Sequence, residues 1–183
     1  MMKYLFVFYL GVILPLNAGN YDDFTKYMQN KNFAKACKSG KKLVFTDGIN
    51  DENQIAKIAS SCLNADYINI LGSLQIKLRN SKQARVNAVI LSSILLQKRL
   101  IYQAMFDDAD ISTMALPVID HPLSHTFVAL RDKSYTLLSS SPKVISFDVG
   151  KKKYKVYIEN SKKSRIVIEI TNEDQTKEEH KYR

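Results

Sequence analysis

One stretch of the chain, Leu71 to Phe106, constrains the fold more than any other, because it holds the longest regular apolar pattern. From Lys82 onward the pattern repeats at steps of three and four residues, which predicts one broad buried face of an α-helix. The side chains expected on that face are Ala84, Asn87, Ala88, Leu91, Ile94, Leu95, Ile101, Tyr102 and Met105. Those expected on the opposite face are Lys82, Gln83, Arg85, Ser92, Gln97, Arg99 and Gln103. A helix with so wide an apolar face is unstable alone in water, so other elements must pack over it.

Shorter helices are predicted before this long one. Tyr21 to Thr46 has the spacing of two short helices joined by a turn. Asp51 is a typical N-cap for a further helix over Glu52 to Leu63, and another helix is expected to begin at Tyr67. We therefore expect a helical domain of four or five helices over residues 19–110.

The pattern changes after this helical domain. Residues 111–142 are interrupted by Pro and Ser and are interpreted as a connecting segment, in which Phe127–Leu130 and Tyr135–Leu138 are short candidate strands. Residues 143–171 alternate apolar with polar side chains and have short polar links. That alternation predicts antiparallel β-hairpins with one face packed on the helices.

The last segment, residues 172–183, is polar and charged apart from Tyr182, and we interpret it as a disordered charged tail. The predicted fold class is therefore α+β. A mainly α-helical N-terminal bundle, or set of helical hairpins, is followed by a small antiparallel β-meander.

The first 18 residues have the organisation of a signal peptide. Lys3 is the positively charged part, Tyr4–Leu14 the apolar part, and Ala18 the small residue at the expected cleavage site. The apolar part is shorter than the ~20 residues that a helix needs to cross a bilayer. We expect cleavage near Ala18, no transmembrane segment afterwards, and a location in the periplasm. An uncleaved membrane anchor is the alternative.

The chain has two cysteines, Cys37 and Cys62, and both fall on the apolar faces of predicted helices. An even count in an exported protein predicts a disulfide, and two cysteines allow one pairing. Closing this loop would stabilise the fold by about 3 kcal/mol. A pair of free buried thiols is the alternative, whereas a redox pair is disfavoured because no Cys-x-x-Cys motif is present.

The chain is basic, with a formal net charge of +9. Once Lys3 is removed with the signal peptide, 26 basic and 18 acidic residues remain, a net charge of +8. Such a charge suits an anionic partner, which could be a nucleic acid, a membrane surface or an acidic protein. Nucleic acid is disfavoured because no recognition motif accompanies the charge.

Two basic surfaces are candidates for partner binding, since no acidic residue occurs between Tyr67 and Met105 and lysines crowd the predicted hairpins. The first, a basic helix face, comprises Lys77, Arg79, Lys82, Arg85, Lys98 and Arg99. The second, a lysine-rich hairpin, comprises Lys151, Lys152, Lys153, Lys155, Lys162 and Lys163. An ordinary solvated helix face is the alternative interpretation of the first.

No residue pattern predicts a catalytic or metal site. His121 and His125 have the spacing of two metal ligands on a helix, but Pro122 lies between them and no third ligand follows at a recognisable spacing. Ser124 lacks the Gly-x-Ser-x-Gly elbow of hydrolases, and the glycines are scattered rather than clustered in a phosphate loop. We therefore predict no catalytic residue, no metal and no cofactor.

Two resemblances add to this interpretation. Asn32-Phe33-Ala34-Lys35-Ala36, after an aromatic residue and a turn, resembles loosely the helix-turn-helix of a tetratricopeptide-type repeat. Several segments further along resemble a family of small exported, uncharacterised periplasmic proteins of Gram-negative bacteria. These segments are residues 62–66, 84–88, 95–102, 110–112 and 116–117.

The second resemblance implies a periplasmic protein with a helical N-terminal part and a small β C-terminal part, and it transfers no catalytic residue. Some such proteins are accessory components of cell-envelope machines such as the flagellar motor. We thus expect a non-enzymatic interaction or scaffold protein whose partners are other periplasmic or envelope proteins. A binder of an anionic ligand or surface, such as lipid or peptidoglycan, is the second hypothesis, and a hydrolase is the third.

Overall fold

The computed structural model of the protein describes residues 18–159 and 164–183. The predicted signal peptide, apart from its last residue, lies outside this part of the chain. The described chain is an α+β fold, as predicted, with a helical region followed by an antiparallel sheet. The helices are α1 (Ala18–Gln29), α2 (Phe33–Phe45), α3 (Glu52–Asn64), α4 (Leu71–Gln75, after a 3-10 turn at Ile68–Ile70), α5 (Lys82–Phe106) and α6 (Pro122–Arg131). The strands are β1 (Thr136–Ser140), β2 (Lys143–Val149), β3 (Lys152–Glu159), β4 (Arg165–Thr171) and β5 (Lys177–Tyr182).

The long helix predicted from the apolar pattern is α5, and its first turn is capped as the sequence indicates. The Ser81 side chain accepts a hydrogen bond from the Ala84 backbone N–H at 3.0 Å. Leu91, Ile94 and Ile101 are buried on its inner face. Helices α3, α4 and α6 and strand β3 contact this helix, whereas α1 packs on α2 and α2 packs on α3.

The position predicted for one polar residue of α5 is wrong. Gln97 is fully buried rather than on the solvent face, because α6 and the segment before it cover that side of the helix. Its amide is satisfied there: Nε2 donates to the Pro117 carbonyl at 2.7 Å, and Oε1 accepts from the Ser124 hydroxyl at 2.7 Å. Burial is tolerated because both ends of the amide have partners.

The first three helices pack in chain order, α1 on α2 and α2 on α3, and a covalent bond joins α2 to α3. Cys37 on α2 and Cys62 on α3 form a disulfide, with their Cα atoms 4.7 Å apart, so the predicted pairing is confirmed. Gly40 on α2 lies directly against Ile58 of α3. A Cβ atom at Gly40 would come within 2.7 Å of both Cγ atoms of Ile58. The close approach of these two helices therefore requires glycine at this position.

The interpretation of residues 111–142 as a connecting segment was incomplete. Phe127–Leu130, a candidate strand in the sequence, belongs to helix α6. His121 caps this helix and Pro122 occupies its first position, where a missing N–H has no cost. Leu123, Phe127 and Leu130 recur at helical steps and are buried. The second candidate strand is present as β1.

The sheet is a five-stranded antiparallel meander in the order β1-β2-β3-β4-β5. Its inner face carries Val156 opposite Ile168, and this face packs on the helices as predicted. The disordered tail predicted for residues 172–183 is wrong, because β5 pairs with β4 along its length. In β5 the alternate residues Glu178, His180 and Tyr182 lie on the inner face of the sheet, and the last of them has a buried aromatic ring.

None of the helices in the described part of the chain combines the length and the apolar composition that crossing a bilayer requires.

Candidate interaction surfaces

The start of α5 is held by an acidic side chain from another helix. The Glu52 carboxylate, at the beginning of α3, accepts the backbone N–H groups of Arg79, Asn80 and Ser81 at 2.7, 2.6 and 2.9 Å. The N–H groups of Asn80 and Ser81 are the main cause that lowers the pKa of Glu52 to about 2, with a smaller effect from Arg79. Arg85 adds a further tie, since its guanidinium donates to the carbonyl oxygens of Arg79 and Asn80 at 3.1 and 2.7 Å. These hydrogen bonds fix the position of the loop before α5, which carries Arg79.

The predicted basic helix face is divided by the structure. An α-helix turns about 100° per residue, so Arg99 points within about 40° of Arg85, whereas Lys98 points about 140° away from it. Lys98 is 7% exposed, and its Nζ donates to the Asn69 side-chain oxygen and to the Arg183 backbone carbonyl. Burial, together with the charge of Arg99, lowers the pKa of Lys98. Lys98 is therefore a core-facing residue and does not belong to the exposed basic face.

The exposed side of α5 also carries apolar residues that the sequence analysis did not single out. Val86, Val89 and Leu96 are 46%, 55% and 45% exposed. They lie between Lys82 and Arg85 at the start of the helix and Arg99 further along it. We call this surface the α5 stripe and define it as Lys82, Arg85, Val86, Val89, Leu96 and Arg99. A helical projection of the sequence contains the signal, since it places these apolar side chains among the polar ones.

A shallow groove runs beside the α5 stripe. It has a volume of about 280 Å³, and its walls include Val89 and Leu96 of the stripe and Leu116 of the segment before α6. Ile76, at the end of α4, is 63% exposed. Apolar side chains left exposed in a contiguous set are typical of a surface that contacts a partner.

The lysine-rich hairpin is less basic in three dimensions than in sequence. Lys151 pairs with Glu173 at 2.8 Å. Lys155 approaches Glu169 at 3.5 Å and lies over the Tyr157 ring, 5.3 Å from its centre. The acidic partners come from β4 and from the turn between β4 and β5, so adjacent strands partly neutralise this surface. Lys152 and Lys153 are exposed, and Lys162 and Lys163 lie outside the described residues.

A cleft with a different composition opens between the helices and the last two strands. Its volume is about 380 Å³, and we call it the cationic cleft. Its lining residues are Lys41, Asp66, Tyr67, Ile68, Asn69, Ile70, Arg165, Lys181 and Arg183. The Asp66 carboxylate is 2.8 Å from His180 Nδ1. Burial disfavours the charged imidazole, but the hydrogen bond and charge of Asp66 outweigh it and raise the pKa of His180.

Three residues that the sequence analysis considered as possible catalytic or metal-binding groups form hydrogen bonds at α6. They are His121, Ser124 and His125. His121 Nδ1 accepts the Leu123 backbone N–H at 3.2 Å, and burial lowers the pKa of His121 to about 4. His125 Nε2 is 3.0 Å from Asp120, whereas the Ser124 hydroxyl is bonded to Gln97. Within residues 18–159 and 164–183, no three His, Cys, Asp or Glu side chains are grouped so that they could hold a metal ion.

Comparisons of the chain with protein-family models, with curated proteins and with solved structures give no match. The description that the geometry supports is an α+β protein with a six-helix region, a five-stranded meander sheet and two separate cationic surfaces. Its function has to be argued from those surfaces.

Proposed function

We propose that this protein is an exported, non-enzymatic interaction protein that binds an acidic and partly apolar segment of another cell-envelope protein on the α5 stripe. The observation that carries this proposal is the exposure of Val86, Val89 and Leu96 on one helix face, between cations that form no ion pair among the described residues. Interfaces of this kind bury an apolar centre and leave a charged rim.

The charge of the stripe sets the chemistry of the partner. Lys82 and Arg99 form no ion pair with any residue that the structure describes, and no acidic side chain occurs from Tyr67 to Met105. The Glu52 carboxylate at the start of α5 is bonded to backbone N–H groups and forms no ion pair with either cation, so both remain available to a partner. Their positive charge favours a partner with carboxylates at matching positions and speeds the encounter with that partner.

The apolar residues of the stripe supply the binding energy. Val86, Val89 and Leu96 are each about half exposed, so burying the remainder contributes about 1 kcal/mol for each side chain. The groove beside Val89 and Leu96, with Leu116 on its far wall, offers a place for an apolar side chain of the partner. An amphipathic helix laid along α5 would present apolar and acidic groups at the required spacing.

The cell compartment is the remaining part of the proposal. The Cys37–Cys62 disulfide is consistent with an oxidising compartment outside the cytoplasm. We assign the protein to the periplasm, as an accessory component of an envelope machine such as the flagellar motor. Rigid elements that present one docking surface suit such a role, because the partner is bound without a change in the fold.

The experiment is a mild-crosslinking pull-down of the tagged full-length protein from its own cell envelope, with the captured proteins quantified by mass spectrometry. The test variant is the double reversal Lys82→Glu/Arg99→Glu. The control is Lys38→Glu/Lys57→Glu, which changes the net charge equally at exposed positions on α2 and α3. We expect a set of proteins that the control retains and the test variant loses by at least about tenfold.

A second variant tests the apolar half of the surface. Val89→Asp places a carboxylate at the exposed centre of the stripe, where a partner's apolar side chain would contact it. We expect the same proteins to be lost from this variant, with an unchanged circular dichroism spectrum. Equal capture by both double variants, or full capture by Val89→Asp, would refute docking on this surface.

A further inference from the structure

We propose that the cationic cleft is a binding site for a phosphate group carried on a larger organic molecule. The site shares no lining residue with the α5 stripe, although a neighbouring pocket contains Asn69 and Arg183 of the cleft together with Arg99 of the stripe. It lies where α2, the segment after α3 and the last two strands meet.

The cleft is assembled from parts of the chain that are far apart in sequence. Lys41 comes from α2, Tyr67 and Asn69 from the segment after α3, and Arg165 and Lys181 from β4 and β5. A volume of about 380 Å³ is large enough for a small organic group and lies within the usual range for ligand sites.

Positive charge predominates in this cleft. Outside the lining, Glu159 and Glu179 approach Lys181, and within it four cationic side chains, namely Lys41, Arg165, Lys181 and Arg183, stand against one side-chain carboxylate. That carboxylate is Asp66, and it is already engaged by His180 at 2.8 Å. The surplus of cations favours a ligand group with at least two negative charges, which a phosphate monoester provides in compact form.

Of the four cations of the cleft, Lys181 is paired with Glu179, whose carboxylate is 3.0 Å from its Nζ, whereas the other three form no ion pair shorter than 4.0 Å among the described residues. Lys41 has no ion pair within the described part of the chain. Glu159 lies outside the lining and is 4.0 Å from Arg165 Nε and 3.8 Å from Lys181 Nζ, which is beyond hydrogen-bond distance. Arg165 Nε has no hydrogen-bond partner among the described residues, so Glu159 leaves this donor unsatisfied.

The walls of the cleft indicate that the phosphate is attached to a larger body. Tyr67 is 51% exposed at its rim, and Ile68 and Ile70 contribute apolar surface beside it. A bare anion would make no use of these groups, whereas an organic phosphate could lay its uncharged part against the ring. Arginine matches this ligand well, since its planar guanidinium binds two phosphate oxygens at once.

Two sources have this chemistry: a soluble organic phosphate and the phosphate headgroup of a lipid. Calorimetric titration of the purified, disulfide-bonded protein with phenyl phosphate, compared with inorganic phosphate, tests the soluble source. Co-sedimentation with vesicles of phosphatidic acid and phosphatidylcholine, compared with phosphatidylcholine alone, tests the lipid source. Both measurements are repeated at high salt, because electrostatic binding weakens as screening increases.

The matched variants lie on one helix. Lys41→Glu reverses a cation of the cleft, and Lys38→Glu reverses an exposed lysine one turn earlier that does not line it. Arg183→Gln is the second test variant, because it removes a charge from the opposite wall and leaves the backbone carbonyl that Lys98 binds. We expect Lys41→Glu and Arg183→Gln to weaken binding about tenfold or more, and Lys38→Glu by less than about twofold.

Each outcome of these measurements either supports the proposal or overturns it. Binding of phenyl phosphate that is tighter than binding of inorganic phosphate, and that the two cleft variants lose, supports the proposal with a soluble ligand. Binding to phosphatidic acid vesicles alone, lost in the same variants, supports it with a lipid ligand. Absence of binding to either probe, or equal loss in Lys38→Glu and Lys41→Glu, would overturn it. Because the α5 stripe is untouched by these variants, protein capture in the crosslinking experiment stays independent of the result.

Discussion

The contact between Gly40 and Ile58 offers a sharp test of how closely α2 and α3 approach. In Gly40→Ala the new Cβ would lie 2.7 Å from both Cγ atoms of Ile58 and 3.1 Å from its Cβ. Real Cβ atoms do not approach other carbons so closely, so the helices or the Ile58 side chain must shift. Ile58 is fully buried, and a β-branched side chain in a helix has one strongly preferred rotamer. The disulfide between Cys37 and Cys62 further limits how far the two helices can separate.

The expected magnitude follows from two opposing effects. Overpacking a core contact of this kind costs typically 1–3 kcal/mol. Replacing glycine by alanine inside a helix returns about 1 kcal/mol through backbone entropy. We therefore expect Gly40→Ala to lower the free energy of unfolding by about 1 kcal/mol at the middle of this range and by about 2 kcal/mol at its upper end, which lowers the melting temperature by up to about 8 °C.

Urea unfolding followed by circular dichroism measures this change, and Gly72→Ala is the matched control. A Cβ at Gly72, in α4, would meet only Leu95 Cδ1 at an ordinary 3.6 Å, so this variant should be as stable as the wild type or more so. In an Ile58→Ala background the cost of Gly40→Ala should fall, because the clashing atoms are gone. A Gly40→Ala protein at least as stable as the wild type would refute the argument.

Two further predictions concern Glu52 and Tyr182. The folded state lowers the pKa of Glu52 from 4.5 to about 2, so its stabilising effect is complete above about pH 4.5 and is lost as the pH falls towards 2. Glu52→Gln should therefore flatten the dependence of stability on pH in that window, measured by thermal unfolding from pH 2 to 6; an unaltered acid limb would contradict the loop contacts. Tyr182 is 1% exposed, so Tyr182→Ala should cost about 3–5 kcal/mol, as large core truncations do. Lys177→Ala, at the exposed other end of β5, is its control. Equal stability of the two variants would contradict the burial of Tyr182 and would support a disordered tail.

Several features of the fold could be predicted because their cause is local. The three- and four-residue spacing along α5, and the caps Asp51 and Ser81, act within a few residues of the chain. The alternation in β3 and β4 likewise specifies which side chains share a face. The disulfide was predictable for a different reason, since two cysteines allow one pairing.

The errors have a common physical origin. Phe127–Leu130 is too short an apolar run to distinguish a strand from a buried helix segment, and its surroundings on α5 made it helical. The charged residues of β5 have little strand propensity, yet the open edge of β4 supplies the hydrogen bonds that order them. In both cases the deciding partner is distant in sequence.

The candidate surfaces likewise depend partly on local spacing and partly on contacts between residues that are distant in sequence. The period of α5 is enough to assign Lys82, Arg85 and Arg99 to its polar side, because side-chain direction in a helix follows from spacing alone. Lys98 is buried because its acceptors on Asn69 and Arg183 come from positions 29 and 85 residues away. The cationic cleft likewise exists only once α2 and the last strands meet. Spacing along the chain sets the direction of a side chain, whereas the burial of a charge depends on hydrogen-bond partners that folding brings from elsewhere.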